Sequence, residues 1–340
     1  MSAVAGETRA ATDVLVEVRG LVKHFPLPAR GVPGRRRHEV VHALNGVDLD
    51  VRRGEFIALV GESGSGKTTL ANCIAGFLDP TAGAIRLDGS PLVEAREGRR
   101  RVSRHVSRRA LARDVQMIFQ DPSSALNPRQ TIASALLEPL LVHKVLDKRA
   151  AQTRVRELLS LTGIPATMGG RYPHELNSGQ RQRAVIARAL ALNPRLIVAD
   201  EAVSRLDVSM QSQILNLLLD LHRDLGLTIV FITHDLSVVR QVADSVVVMY
   251  LGRIMEACAA DVFFAQPSHP YSNALIASTP RMLREDEQLQ TLEGEIPSPV
   301  RPPSGCPFHT RCPLAEERCT EAVPPLEDVA PGHRVACIKA

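Results

Sequence analysis

One nine-residue stretch, Gly61-Glu62-Ser63-Gly64-Ser65-Gly66-Lys67-Thr68-Thr69, limits what this chain can fold into more than any other feature. It follows the apolar run Phe56-Ile57-Ala58-Leu59-Val60 and precedes a helical pattern that runs to about Phe77. The spacing G-x-x-x-x-G-K-[ST] is that of a phosphate-binding loop. Its glycines let successive backbone N–H groups turn inward around a polyphosphate, Lys67 brings a mobile positive charge to the β- and γ-phosphates, and Thr68 places a hydroxyl on Mg²⁺. The helix that starts here adds the positive end of its dipole.

The rest of the chain extends this unit. Residues 14–18 and 41–51 read as strands separated by a Gly/Pro/Arg loop at 29–38, and residues 1–12 as a disordered tail. Ile85-Arg86-Leu87 is a short strand closed by the turn signal Asp88-Gly89. The apolar strand at 115–120 ends in Gln120-Asp121-Pro122, and residues 131–192 read as mostly helical, with Leu136, Leu137, Leu140 and Leu141 at helical spacing. Strand pattern returns at 196–199, 228–232 and 246–250, the first two ending in Asp200-Glu201 and Thr233-His234-Asp235. Between them, Ile214, Leu217, Leu218, Leu221 and Leu225 mark one face of a helix. Apolar strands alternating with helices predict an α/β fold: a largely parallel sheet with a helical insert at about 121–190. A ligand belongs at the carboxyl ends of such strands, where Gln120, the Asp200-Glu201 pair and His234 fall.

Composition narrows the function classes. The 340 residues are 44% hydrophobic and 23% charged, which suits a folded globular chain. Its apolar runs are too short to cross a bilayer, and the N-terminus has no secretory pattern, so the cytoplasm is the expected location. The net charge of +4 comes from Arg35-Arg36-Arg37 and an Arg-rich run at 99–113. With no Trp and three Tyr, stacking surfaces for nucleic acid are not expected. The Arg runs read as solvated faces, with anionic lipid or a partner protein as the other readings.

Each strand-end group has a chemical role to fill. Asp200 offers Mg²⁺ a hard oxygen, directly or through water. Glu201 is placed to accept a proton from the water attacking a γ-phosphate, Gln120 to ligand Mg²⁺ and hold that water, and His234 to stabilise developing charge. The ordered set Gly61 to Thr69, Gln120, Asn177-Ser178-Gly179-Gln180, Asp200-Glu201, Ser204 to Asp207 and His234 resembles the Walker A, Q-loop, signature, Walker B, D-loop and H-loop of ABC transporter ATPases, over about residues 13–260. Closer still, Gln116-Met117-Ile118-Phe119-Gln120-Asp121-Pro122, Leu126-Asn127-Pro128-Arg129 and Tyr172-Pro173-His174-Glu175-Leu176 resemble the ATPase subunits of dipeptide and oligopeptide importers.

That resemblance implies a phosphate-loop ABC-type domain at 13–265, with an antiparallel β subdomain, and an importer-type extension at 266–340. It implies a head-to-tail dimer, with ATP between one subunit's phosphate loop and the other's Asn177, Ser178, Gly179, Gln180 and Asp207. The partners would be a second ATPase, two transmembrane permease subunits and an extracytoplasmic substrate-binding protein, with this chain peripheral at the cytoplasmic face of the membrane. Residues 121–145 would dock on the permease, and Phe25 would stack on adenine unless it is a core residue. Peptide import is the default cargo class. Nickel or another small solute, a soluble ABC-type ATPase not tied to transport, and a subunit that binds ATP without hydrolysing it are the alternatives.

Two features depart from the family pattern. The signature reads Asn177-Ser178 where Ser-Gly is usual, and Ala202 and Arg205 alter the D-loop. Asn177 retains an amide donor, whereas a side chain at Ser178 is expected to obstruct phosphate approach. Two outcomes are open: an asymmetric heterodimer with one weakened site, or tolerated substitutions with both sites active. In the Pro-rich tail, Cys306, Cys312, Cys319 and Cys337 are separated by five, six and seventeen residues. In a cytoplasmic chain these thiols hold a 4Fe-4S cluster, hold zinc, or stay reduced without metal. The resemblance adds that some peptide-importer ATPases carry such a cluster. Cys73 and Cys258 read as small apolar core residues.

Overall fold

The computed structural model describes residues 13–28, 39–96, 103–121, 125–279 and 294–340. The N-terminal tail, Arg35-Arg36-Arg37, Arg99 to Arg101 and residues 122–124 of the expected docking surface lie outside them. The described residues fall into two compact units, one of those up to His105 together with those from Thr233 onward and the other of those from Val106 to Ile232.

The first unit opens with two long antiparallel strands, β1 (Val14–Pro26) and β2 (Val40–Arg52), whose pairing is interrupted by register shifts. Then come the fully buried β3 (Phe56–Val60), helix α1 (Lys67–Ile74), β4 (Ala82–Leu87), β5 (Ser90–Ala95) and β6 (Ser103–Arg104). One sheet runs β2-β1-β4-β5-β6, antiparallel throughout, which is the expected β subdomain. Helix α1 stops at Ile74, short of the expected Phe77. Gly76 turns the chain at φ 75°, and Phe77 is left exposed.

The second unit holds α2 (Arg108–Asp114), β7 (Val115–Ile118), α3 (Ile132–Val142), α4 (Lys148–Leu161), α5 (Ser178–Ala189), β8 (Leu196–Asp200), α6 (Val208–Leu225) and β9 (Thr228–Ile232). Its strands pair in parallel, β9-β8-β7, with β8 and β9 buried along their whole length. Side chains of Thr131, Asp147, Asn177 and Asp207 cap the N-termini of α3 to α6, and Gly226 closes α6 at φ 61°. Leu225 and Leu141, which continue the helical apolar spacing in the sequence, are exposed. Each lies in the last turn of its helix, beyond the buried stripe that ends at Leu221 or Leu140.

The chain then returns to the first unit with α7 (Leu236–Val242), β10 (Ser245–Tyr250), β11 (Arg253–Ala259), α8 (Ala260–Ala265), α9 (Pro270–Ala277), β12 (Glu327–Ala330) and β13 (His333–Val335). Here β3 pairs in parallel with β10, while β11, β13 and β12 continue antiparallel. Cys306, Phe308 and Cys319 of the tail pack in one buried cluster with Val246, Val248, Tyr250 and Tyr271. The tail therefore shares the core of the strands before it, as a short Pro-rich segment must if it is to bury apolar surface.

His269 caps α9, its Nδ1 accepting the Tyr271 N–H at 3.0 Å, and it is 1% exposed. Burial lowers its pKa to about 4. The unfolded chain, titrating near 6.5, therefore binds more protons between those values. The contribution to stability is whole above about pH 6.5 and is lost as pH falls toward 4, a change on the order of 3 kcal/mol. Asparagine at this position keeps a cap acceptor without the titration. Thermal unfolding of His269→Asn should thus lose less stability than the parent between pH 7 and 5, and equal losses would refute this account.

Candidate nucleotide site

The phosphate loop runs through backbone conformations that need glycine. Gly61, Gly64 and Gly66 have φ of 142°, 79° and 104°. A Cβ on Gly61 would stand 2.2 Å from the Met249 carbonyl oxygen, and one on Gly66 2.5 Å from that of Ala43. These walls are backbone and cannot swing aside. The Lys67 ammonium donates to the carbonyls of Gly61 at 2.7 Å and Glu62 at 2.9 Å and to Ser65 Oγ at 3.1 Å. Ser63, Gly64 and Thr68 are exposed, and Thr69 is half-buried at the start of α1. A glycine cradle with a lysine folded over it fits a polyphosphate, and the Thr68 hydroxyl beside it fits a Mg²⁺ ligand.

Sequence reasoning missed the buttress behind this loop. Asn45 donates its backbone N–H to Gly252 O at 2.9 Å and its Nδ2 to Leu251 O at 3.0 Å, and Gly252 in turn donates to Ser65 O at 2.9 Å. Also missed was what holds the loop's second residue. Glu62 pairs with Arg311 through two hydrogen bonds of 2.6 and 3.1 Å, and its N–H donates to Tyr271 Oη at 2.9 Å. No local pattern signals a pair 249 residues apart. Phe25 is half-buried on β1, with Lys23 Nζ 4.9 Å from its ring centroid, so it is not a core residue. His234 is exposed just before Asp235, which caps α7.

In the second unit the structure brings two expected groups into contact. Gln120 Nε2 donates to Glu201 Oε2 at 2.5 Å, and Asp200, one residue earlier, is buried at the end of β8. Glu201 itself has φ 48°, a left-handed conformation that costs a non-glycine residue about 1 kcal/mol or more. Its N–H donates to Ile232 O at 3.0 Å, and its carbonyl accepts Ser204 Oγ at 3.0 Å. Arg205, an altered D-loop residue, lies 3.5 Å from Asp121, an exposed pair that adds little stability. Asp207 accepts the Met210 N–H at 2.9 Å as the cap of α6.

Asn177 and Gln180 form a reciprocal capping box at the start of α5, with the Asn177 amide oxygen accepting the Gln180 N–H at 2.8 Å. Ser178 is half-buried in the first turn, and its backbone needs no glycine. Gly179 is the buried member. A Cβ there would overlap Met210 Cε at 1.5 Å, the movable end of a flexible side chain.

All six cysteines are free. Cys73 and Cys258 are buried as core residues, and burial pushes the Cys258 thiol up to about 12. Cys306, Cys312, Cys319 and Cys337 line a single small cavity walled by Phe308 and Leu314. Gly305, at φ 66°, brings the chain in against Cys319, whose carbonyl accepts the Cys306 N–H at 2.8 Å. Burial, and then the three neighbouring thiols, push Cys306 up to about 11. Four converging thiols are a donor set that fits a soft metal or an iron-sulfur cluster. Among the described residues, Glu256, Cys258 and His333 are the group whose ligand atoms lie within 4.8 Å of one another. However, Glu256 already accepts N–H groups from Ser268, His269 and His333 at 2.7–3.0 Å, which makes that group a satisfied core network.

The parts and their order define the class of phosphate-loop ATPases. The ABC transporter profile matches residues 44–204, and the oligopeptide/dipeptide transporter C-terminal region matches 255–319. A probable peptide ABC transporter ATP-binding protein of Sinorhizobium fredii is 47% identical over 96% of this chain and 90% of its own length. The oligopeptide transport ATP-binding protein AppF of Bacillus subtilis is 42% identical over 97% of this chain and 98% of its own. Among solved structures, a dimeric ATP-binding cassette bound to ADP and Pi covers 72% of this chain and 99% of its own, at 26% identity and a TM-score of 0.60. The cbiO1 protein of Clostridium perfringens, part of the cbiONQ transporter complex, covers 75% and 92%, at 28% identity and a TM-score of 0.61. The chain belongs to the ABC transporter ATP-binding proteins, in their dipeptide and oligopeptide importer family. Among the described residues, no helix is long and apolar enough to cross a membrane.

Alanine at Gly66 adds a strained φ to a backbone overlap. Gly66→Ala should cost on the order of 2–3 kcal/mol in urea unfolding and abolish binding of a fluorescent ATP analogue. Parent-like binding would show that the cradle tolerates a side chain.

Proposed function

We propose that this chain is the ATP-hydrolysing subunit of a peptide-class importer, peripheral at the cytoplasmic face of the membrane. The observation that supports hydrolysis most is the Gln120–Glu201 hydrogen bond beside the buried Asp200. The phosphate-loop residues 61–69 bind the nucleotide phosphates, with Lys67 as the charge that follows the γ-phosphate. Thr68, Gln120 and Asp200 hold Mg²⁺, which supplies charge neutralisation at the phosphates when bound. Glu201 takes the proton of the attacking water, Gln120 orients that water, and His234 stabilises the developing charge. Phe25, partly open on β1, stacks on adenine. Removing a general base costs about 100-fold or more. Glu201→Gln in the assembled transporter should therefore lose at least that much ATPase activity while still binding ATP. Unchanged turnover would exclude Glu201 as the base.

The peptide reading rests on relatives, such as those of Sinorhizobium fredii and Bacillus subtilis, that align over nearly the whole chain and are named for peptide or oligopeptide transport. We assign two permease subunits and an external binding protein as partners. Within the expected docking region, Leu141, Val142 and Val145 are exposed apolar side chains. The ATPase partner is assigned as a different subunit, because Ser178 places a hydroxymethyl group, half-buried, in the first turn of α5, where a partner's phosphate would approach. Asn177, Gly179, Gln180 and Asp207 contribute the remainder of that shared site. Equal ATPase losses from Glu201→Gln and from the partner's equivalent change would refute the asymmetry.

For the tail we infer a 4Fe-4S cluster on Cys306, Cys312, Cys319 and Cys337, supported by their convergence on one cavity. Anaerobic purification should give brown protein with about four iron and four sulfide per chain. Colourless, iron-free protein would remove the cluster from the reading.

A further inference from the structure

The cysteine-rich tail and the phosphate loop meet at Glu62. Three groups of this one residue are held at once. Its N–H donates to Tyr271 Oη, its carboxylate accepts both arms of Arg311, and its carbonyl accepts the Lys67 ammonium. Tyr271 and Arg311 both lie within the region matched as the importer C-terminal region, whereas Glu62 and Lys67 lie within the ATPase match.

The clasp is buried and rigidly backed. The Arg311 side chain is 3% exposed and that of Glu62 24%. Arg311 also donates to Tyr250 Oη at 3.3 Å and stands 5.9 Å from that ring's centroid. Tyr250, Tyr271 and Phe308 form a trio with ring centroids 4.7 to 5.4 Å apart. The chain has only three tyrosines, and two of them stand here. Arg311 is fixed in its turn by its N–H to Phe308 O at 2.9 Å, one residue before Cys312.

A planar guanidinium that grips both carboxylate oxygens fixes direction as well as distance, which a lysine ammonium cannot do. Removing one partner of so buried a pair leaves the other charge uncompensated, so the loop would have to move to hydrate Glu62. Any such movement carries the Glu62 carbonyl with it, and with that carbonyl an acceptor that places Lys67.

We propose that Arg311 is a positioning residue for nucleotide binding: by orienting Glu62 it presents the phosphate loop and Lys67, so the cysteine-rich tail sets the loop's affinity for ATP. This rests on the ATP-binding reading above.

The test uses the full-length chain and its assembled transporter. Arg311→Lys, Arg311→Met and Tyr271→Phe are compared with the parent for binding of a fluorescent ATP analogue, KM and kcat for ATP, thermal unfolding, and iron and sulfide content. In Arg311→Lys, Kd and KM should rise at least about fivefold, the lower end of usual coupling between sites. Its kcat, iron content and fold should stay close to the parent's, a split that a merely structural role would not produce. Tyr271→Phe, which loses only the oxygen that accepts the Glu62 N–H, should move Kd in the same direction. If Arg311→Met fails to fold, these two variants carry the test. Parent-like Kd in a folded Arg311→Lys overturns the proposal and leaves the ATPase reading intact. A parent chain that binds no ATP overturns both.

Discussion

A backbone that must turn its N–H groups toward one point cannot hold that shape by itself, and the phosphate loop depends on its walls. Gly61 and Gly66 sit where the carbonyls of Met249 and Ala43 leave room for no Cβ. Asn45 and Gly252 tie the loop to the turn after β10. The buried strand β3 and its parallel neighbour β10 supply rigidity, and the loop supplies donors. Most of what is distinctive in the first unit, including the aromatic trio and the tail, either forms these walls or supports what does.

The second unit spends local strain at its functional end as well. Glu201 adopts a left-handed backbone directly after a fully buried strand, held by the Ile232 carbonyl and by Ser204. Strain of this kind persists only where neighbours over-determine the conformation. Its effect is to turn the glutamate carboxylate toward Gln120. The helix caps at Asn177 and Asp207 act in a gentler way, anchoring the starts of α5 and α6 with Ser178 half-buried in the first turn.

Much of this was legible in the residues because it is local. Phe56–Val60 as a strand, the glycine spacing of the loop and Asp200-Glu201 at a strand end are all written within a few positions of one another. Periodicity placed Leu225 and Leu141 on their helices but has no knowledge of where a core ends, and both are exposed. The antiparallel end β11-β13-β12 was not legible, because β12 (Glu327–Ala330) and β13 (His333–Val335) are too short and too polar to show a strand pattern. Asn45, Arg311 and Tyr271 were illegible for a different reason: their partners lie about 200 or more residues away. The convergence of four cysteines with unequal spacing was suggested by composition, but the cavity they share is a property of the folded tail.

The tail has no interior of its own, and this bears on how such a chain can be taken apart. Cys306, Phe308 and Cys319 cover Tyr250, Tyr271 and Val248. Cutting the chain near residue 265 would not release a trimmed cassette. It would remove Tyr271 and Arg311 from the phosphate loop and uncover Val246, Val248, Tyr250 and Phe263, apolar surface of the kind that draws chains together. Swapping tails between related subunits would therefore transplant part of an ATPase core along with the cysteines.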